Sequence, residues 1–270
     1  IRDKDRLKTA FDGVDIIIHA AALKQVTAAE YNPFEFVNTN IIGAQNIVDA
    51  AITCNVKNVI ALSTDKAASP INLYGATKLC SDKIFSAANN IIGGKKIKFS
   101  IVRYGNVFAS RGSVVPLFKY YSKNFKYLPI TDPDMTRFNL STIEAVKFVI
   151  LTLEKSKGGE IFVPKIPSYK ITDLADAFGK NLKKKIIGIR PGEKLHEELI
   201  SSSESSNTFE YKDFYVVLPS VYDEKIYKMK YKFYNYKNKV KKNFSYTSNN
   251  NKVFLSKNKL SKIIKLYLSK

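Results

Sequence analysis

The sequence predicts an α/β fold: a doubly wound parallel sheet, N-terminally truncated, with a smaller C-terminal lobe. Three observations lead there. Short apolar runs, Asp15-Ile16-Ile17-Ile18-His19, Val59-Ile60-Ala61-Leu62 and Phe99-Ser100-Ile101-Val102-Arg103, read as strands buried on both faces. Segments with helical spacing lie between them. Hydroxyl-bearing and charged residues gather directly after the runs, at the carboxyl ends of the strands, where open α/β sheets bind ligands.

In chain order, the first run is followed by Ala20-Ala21-Ala22, residues small enough to let a flat or extended ligand approach the backbone, and then by Lys24. Upstream of it no G-x-x-G-x-x-G or related glycine-rich turn joins a strand to a helix, so the first β-α-β unit of such a sheet is read as missing. Asn38-Thr39-Asn40 opens a helix with Asn40 as N-cap and Ile41, Ala44, Ile47, Val48 and Ala51 at core spacing.

The second run leads into Ser63-Thr64-Asp65-Lys66-Ala67-Ala68-Ser69-Pro70-Ile71-Asn72-Leu73-Tyr74-Gly75-Ala76-Thr77-Lys78, the stretch around which the chain is organised. Tyr74 and Lys78 are four residues apart, hence on one helical face, and a lysine beside a phenol lowers its pKa. The spacing alone also describes an ordinary exposed pair. What favours chemistry is the ordered set of strand, Thr64-Asp65-Lys66, polar loop and Tyr/Lys helix.

The third run ends in Tyr104-Gly105-Asn106-Val107, where Asn106 is placed either to tie down a turn or to hold a ligand hydroxyl or phosphate. Ser113-Val114-Val115-Pro116-Leu117-Phe118 opens a helix with Pro116 in its first turn. Arg137, in Met135-Thr136-Arg137-Phe138, offers a fork matched to phosphate oxygens or to a surface carboxylate. Residues 141–155 read as a capped amphipathic helix with Val146, Val149, Ile150 and Leu153 inward, and Ile161-Phe162-Val163 as a strand. In Ile189-Arg190-Pro191-Gly192-Glu193-Lys194-Leu195-His196-Glu197-Glu198, a strand is expected to end at Arg190 and a helix to begin at Glu193, with an anion site at its N-terminus. His196 is expected to make a structural hydrogen bond. With only His19 besides it and no paired ligand spacing, a metal site is not expected.

A chain of 270 residues with 45% hydrophobic residues can bury a substantial core. The formal charge of +20 is concentrated in lysines between 225 and 242 and between 252 and 270, interleaved with Tyr, Phe and Asn. Compositional bias accounts for such a pattern better than nucleic-acid binding does. Cys54 and Cys80 have no metal-ligand spacing and suit a reducing compartment. No apolar run approaches the roughly 20 residues that span a bilayer, and no signal peptide opens the chain, so no membrane association and a cytoplasmic location are expected. The expected divisions are a dinucleotide-binding domain at 1–165 with some substrate-binding segments inserted, a substrate-binding lobe at 166–220 and a basic extension at 221–270.

Taken together, Ser-Thr-Asp-Lys-Ala-Ala, Leu-Tyr-Gly-Ala-Thr-Lys, Val-Arg-Tyr-Gly-Asn-Val, Arg-Gly-Ser-Val-Val-Pro, Met-Thr-Arg-Phe and Arg-Pro-Gly-Glu-Lys-Leu-His-Glu resemble the extended short-chain dehydrogenase/reductase family. Within it they are similar to the inverting 4,6-dehydratases of UDP-N-acetylglucosamine in the pseudaminic acid pathway. The resemblance runs from residue 1 to about residue 219, and further on Phe254 stands where a tryptophan is expected. It implies a Rossmann-like domain, NADP or NAD as cofactor, UDP-N-acetylglucosamine as substrate and a homo-oligomer.

The resemblance also implies roles. Tyr74, Lys78 and Thr64 would act at the C4 hydroxyl, Lys66 would be the base at C5 and Asp65 the acid for the C6 hydroxyl. Ala20, Ala21, Ala22, Lys24, Tyr74 and Lys78 would line the cofactor. Lys24, Asn106, Val114, Val115, Pro116, Leu117, Phe118, Arg137, Arg190 and Glu193 would line the substrate. Lys24 reads equally as a solvated loop lysine. Lys66 after Asp65 differs from the common Asp-Glu pairing of other dehydratases. A 4-epimerase, a C5-retaining dehydratase, a basic nucleic-acid-binding module and an inactive assembly fragment stay open. Without a glycine-rich turn, residues 1–270 alone are expected to bind NADP weakly, to lack activity and to aggregate.

Overall fold

The computed structural model describes residues 1–179, 181–219, 230–231 and 238–269. Much of the lysine-rich stretch at 225–237 therefore lies outside the described residues. In chain order the elements are α1 (Lys4–Phe11), β1 (Ile16–His19), α2 (Val26–Tyr31), α3 (Pro33–Phe36), a π-helical turn (Val37–Ile42), α4 (Gly43–Thr53), β2 (Asn58–Thr64), a 3₁₀ turn (Asp65–Ala67), α5 (Leu73–Ala88) and β3 (Lys98–Tyr104). They continue with α6 (Val114–Asn124), β4 (Tyr127–Ile130), β5 (Thr136–Phe138), α7 (Thr142–Lys155), β6 (Ile161–Pro164), β7 (Ser168–Lys170), α8 (Ile171–Phe178) and β8 (Lys183–Ile186). Last come β9 (Glu198–Ile200), a 3₁₀ turn (Ser202–Asn207), β10 (Thr208–Glu210), β11 (Phe214–Val217), β12 (Asn238–Lys239), β13 (Tyr246–Thr247) and α9 (Lys257–Leu268).

The chain forms two compact units, neither of them one continuous stretch. The first contains residues 1–104, 146–165 and 199–245, the second residues 105–145, 166–198 and 246–270.

The first unit is built on a seven-stranded sheet in the order β1-β2-β3-β6-β11-β10-β12. The four strands from β1 to β6 are parallel, and β11 then runs antiparallel to β6 and to β10. Alternation along β2 and β3 sorts the side chains onto two faces. Phe99 meets Phe85 of α5 on one face, while Ile60, Val102 and Phe162 join Phe148 of α7 in a cluster on the other. The parallel core is thus covered on both sides, as a Rossmann-like sheet requires.

Strand β1 departs from the expectation of burial on both faces. Ile17 and His19 are buried, but Ile16 and Ile18 are 46% and 44% exposed. Ile18 pairs in register with Ile60 and so shares its face, and β1 is the edge of the sheet among the described residues.

Three further expectations are corrected. Asn40 is not an N-cap: it lies inside the π-helical turn, whose wider winding turns its amide toward Leu23 and Thr77. In α7 the buried positions are Ala145, Phe148 and Thr152, whereas Val146 and Ile150 are exposed. Burying Thr152 costs little because its hydroxyl donates to the Phe148 carbonyl at 2.9 Å. No helix begins at Glu193. Gly192 turns the chain with φ 75°, and residues 193–197 run as coil into β9.

The second unit pairs β4 with β8 in parallel and β5 with β7 in antiparallel fashion. Val115 and Phe118 of α6, Leu128 and Ile130 of β4, Leu174 of α8, and Leu260 and Ile264 of α9 form its core. No helix among the described residues is long and apolar enough to cross a membrane.

Candidate active site

Local chemistry draws Thr64, Asp65, Lys66 and Tyr74 together. Strand β2 ends at Thr64, whose hydroxyl accepts from the Lys66 amide at 3.4 Å and caps the 3₁₀ turn. Asn72 caps α5 by accepting from the Gly75 amide at 2.8 Å. The first turn of α5 then rests directly on the Lys66 carbonyl: a Cβ at Gly75 would lie 2.4 Å from that oxygen. Only glycine permits this approach, and it sets Tyr74 against the end of β2.

The polar groups form a chain. The Thr64 hydroxyl donates to Asp65 Oδ1 at 2.8 Å and Lys66 Nζ reaches the same oxygen at 3.1 Å. The Thr64 hydroxyl also lies near enough to the Tyr74 phenol to pull its pKa down. Asp65 and Tyr74 are buried, and the Lys66 side chain is partly exposed. Burial raises the Tyr74 pKa above that of an ordinary phenol, against the downward pull of Lys66 and Thr64. The sequence reading, in which the neighbouring lysine leaves the phenol more acidic, is thereby corrected. Desolvation prevails, and the cation that acts most on Tyr74 is Lys66. Lys78, one turn on, is buried with its ammonium donating to the Leu62 carbonyl at 2.9 Å. Burial lowers its pKa and Asp82 opposes that shift.

Asn40 locks the neighbouring loop. Its Oδ1 accepts from the Leu23 amide at 2.9 Å, and its Nδ2 donates to the Leu23 carbonyl at 2.9 Å and to Thr77 Oγ1 at 3.0 Å. Ala20, Ala21 and Ala22, just before this anchor, form an exposed ledge of small side chains at the carboxyl end of β1, and Lys24 beyond it is exposed. The ledge and Lys78 are the features that could hold one end of a dinucleotide.

The remaining predicted site residues belong to the second unit. Val115 and Phe118 are core side chains, so any ligand contact there would come from backbone, while Val114, Pro116 and Leu117 are half-buried. Arg137 is buried, not a surface ion pair. It faces Glu193 at 3.3 Å and Glu197 at 3.4 Å and donates to the Thr136 and Leu195 carbonyls at 2.7 and 3.0 Å. Arg190 is exposed. His196 makes the expected hydrogen bond, Nδ1 to Thr136 Oγ1 at 2.9 Å, and burial and Arg137 lower its pKa. Asn106 Oδ1, Ser113 Oγ and Glu193 Oε2 are buried atoms with no hydrogen-bond partner among the described residues, the state expected of groups that await a polar ligand.

Sequence reasoning missed Gly75, Asp82, Arg103 and Ser113. Asp82 continues the four-residue spacing of Tyr74 and Lys78, and Arg103 is a charge at the end of an apolar run. Those two signals were present.

A family model described as polysaccharide biosynthesis protein matches residues 1–219. The UDP-N-acetylglucosamine 4,6-dehydratase (inverting) of Campylobacter jejuni is 55% identical over 267 residues, covering 98% of this chain and 80% of that protein. The X-ray structure of Pen from Bacillus thuringiensis superposes with a TM-score of 0.85 at 36% identity, over 100% of this chain and 80% of that one. DesIV from Streptomyces venezuelae, a dTDP-glucose 4,6-dehydratase solved with NAD and TYD bound, shares the fold with a TM-score of 0.68 at 20% identity, over 99% and 77% of the two chains.

Proposed function

The chain belongs to the polysaccharide biosynthesis protein family, and from that premise we propose that it is a nucleotide-sugar 4,6-dehydratase that converts UDP-N-acetylglucosamine to UDP-2-acetamido-2,6-dideoxy-β-L-arabino-hex-4-ulose with inversion at C5. The observation that carries this reading is the chain of contacts from Lys66 through Asp65 and Thr64 to Tyr74 at the end of β2. It combines a base, an acid and a phenol in one site.

A nicotinamide dinucleotide, NADP with NAD as the alternative, would supply the hydride acceptor for C4 and the hydride donor for C6. The small-residue ledge of Ala20, Ala21 and Ala22, with Lys24, Tyr74 and Lys78 as its polar groups, would hold it. Everything else falls to side chains. Tyr74, beside Thr64, takes the C4 hydroxyl proton. Burial holds the phenol neutral, so its deprotonated fraction, and this step with it, rises with pH.

The C4 ketone makes the C5 proton acidic, and Lys66 removes it. The C6 hydroxyl leaves as water on taking a proton from Asp65. An amine and a carboxylic acid are needed here, whereas the resting pair is an ammonium and a carboxylate 3.1 Å apart. The two forms contain the same number of protons. One transfer along the Lys66–Asp65 contact interconverts them. Reprotonation of C5 on the opposite face completes the inversion. Asn106, residues 114–118, Arg137, Arg190 and Glu193 bind the UDP-sugar. The unpartnered oxygens of Asn106 and Glu193 support that assignment. We further assign the protein to the cytoplasm as a homo-oligomer and its product to pseudaminic acid synthesis for flagellin glycosylation.

The test is product formation in heavy water. Product from UDP-N-acetylglucosamine should carry deuterium at C5 in the inverted configuration, and the Tyr74→Phe protein should turn over about 10² to 10⁴ times more slowly. Retention at C5, or near-normal turnover by Tyr74→Phe, would overturn the assignment.

A further inference from the structure

Below the end of β2, charged side chains share one buried cluster of the first unit. Lys78, Asp82 and Arg103 are 4%, 2% and 1% exposed. From β3, Arg103 Nη2 donates to Asp82 Oδ2 at 3.2 Å, and Nη1 donates to the two Glu204 oxygens at 2.9 and 3.0 Å and to the Leu199 carbonyl at 3.2 Å. Ser63, one residue before Thr64, donates to the same Asp82 oxygen at 2.8 Å. Asp82 is therefore gripped from two strands and cannot swing away.

Arg103 neutralises only one of the two carboxylates that flank it. Asp82, unlike the partly exposed Glu204, holds its charge where water cannot solvate it, so a second cation close by stabilises it. Lys78 is that cation. It precedes Asp82 by four residues on α5, which puts the two side chains on one face of the helix. The other titratable groups around it supply no substitute: His19 of β1 is held neutral, its pKa down to about 3 through burial and the charge of Lys78, and Tyr74 is a neutral phenol. Asp65 and Lys66, at the end of β2, pair with each other.

We propose that Asp82 is a positioning residue for the reaction: clamped by Arg103 and Ser63 and backed by Glu204, it places a fixed negative charge one turn behind Lys78 and keeps that lysine an ammonium. This role rests on the proposed function, in which Lys78 is one of the polar groups that hold the dinucleotide. Asp82 is the charge that opposes burial, which drives Lys78 toward the neutral amine.

The experiment follows Lys78 directly, by carbon NMR of the protein labelled at lysine Cε, with its resonance assigned from its loss in Lys78→Arg. In the native protein Lys78 should be an ammonium at pH 7. Asp82→Asn should move its titration to lower pH, and the optimum of kcat should move toward acid with it. Glu204→Gln keeps the shape of a side chain that is partly exposed while removing its charge and one acceptor, so it serves if Asp82→Asn does not fold. It should move the titration the same way by less. A neutral Lys78 at pH 7 in the native protein, or a titration left in place or raised in a folded variant, would overturn the proposal. A merely structural Asp82 would lower stability and leave the lysine unmoved. Because the readout needs no substrate, a correct titration without dehydration of the sugar would refute the function and leave the charge network standing.

Discussion

At the scale of single residues, burial decides the chemistry, and His19 shows it most plainly. Its ring lies 5.4 Å from that of Phe85 inside the first unit, and burial together with Lys78 lowers its pKa from 6.5 to about 3. Above pH 6.5 both folded and unfolded forms are neutral and the residue adds no pH dependence. Below it the unfolded chain takes up a proton that the folded one refuses until about pH 3, so stability falls as pH falls across that window. Between pH 7 and 5 the loss amounts to about 2 kcal/mol at 1.36 kcal/mol per unit. Urea unfolding should show that extra loss in the native protein and not in His19→Gln, and parallel curves would mean that the ring is not held neutral. Nothing in the run Ile16-Ile17-Ile18-His19 announces this, because the cause is Lys78 and Phe85, which are distant in sequence. Tyr74 and Lys78, by contrast, were legible as a pair because the helix period alone aligns them. Arg103 could be seen only as an oddity until β3 placed it between Asp82 and Glu204.

At the scale of elements, runs were read more securely than phases or ends. Strands β2, β3 and β6 follow from continuous apolar stretches, and α5 from its spacing. The inward face of α7 was misread because the apolar Val146 and Ile150 were given more weight than Phe148, although burying one large ring excludes more water than burying either. The helix expected at Glu193 was inferred from a turn and an acid, but that carboxylate pairs with Arg137 in the second unit instead. Helix α5 carries the element-scale prediction. Since a Cβ at Gly75 would lie 2.4 Å from the Lys66 carbonyl oxygen and 3.0 Å from Pro70 Cβ, Gly75→Ala must displace either the first turn or the loop. Overpacking of this kind costs about 1–3 kcal/mol. A shift of about 1 Å at Tyr74 should cost roughly 10²-fold in kcat. The variant should melt lower and lose kcat more than it raises KM. Native kcat in a folded Gly75→Ala protein would mean that the contact between α5 and the turn does not set the site.

At the scale of the molecule, the division into two interleaved units was hardest to foresee, because each returns to the chain three times and no linker composition marks the crossings. The charge of +20 invites one account of any tendency to associate, through polyanions, and the sheet edge offers another. Among the described residues β1 is the edge strand of the sheet, and its exposed Ile16 and Ile18 form an apolar strip beside it. The two accounts differ in their response to salt. Charge-mediated association weakens steeply as salt rises, whereas edge pairing through apolar side chains does not. We therefore expect self-association that persists at high salt and that a single charge on the strip suppresses. Ile18→Lys places an ammonium on the open face, where a surface substitution should change stability by no more than about 0.5 kcal/mol. Ile17→Lys, on the buried face of the same strand, should unfold the protein and so serves as the contrast. Sedimentation velocity should show Ile18→Lys shifted toward the single-chain species with its melting temperature kept. If its association matched that of the native protein at every salt concentration, the edge would not be the surface that joins the chains.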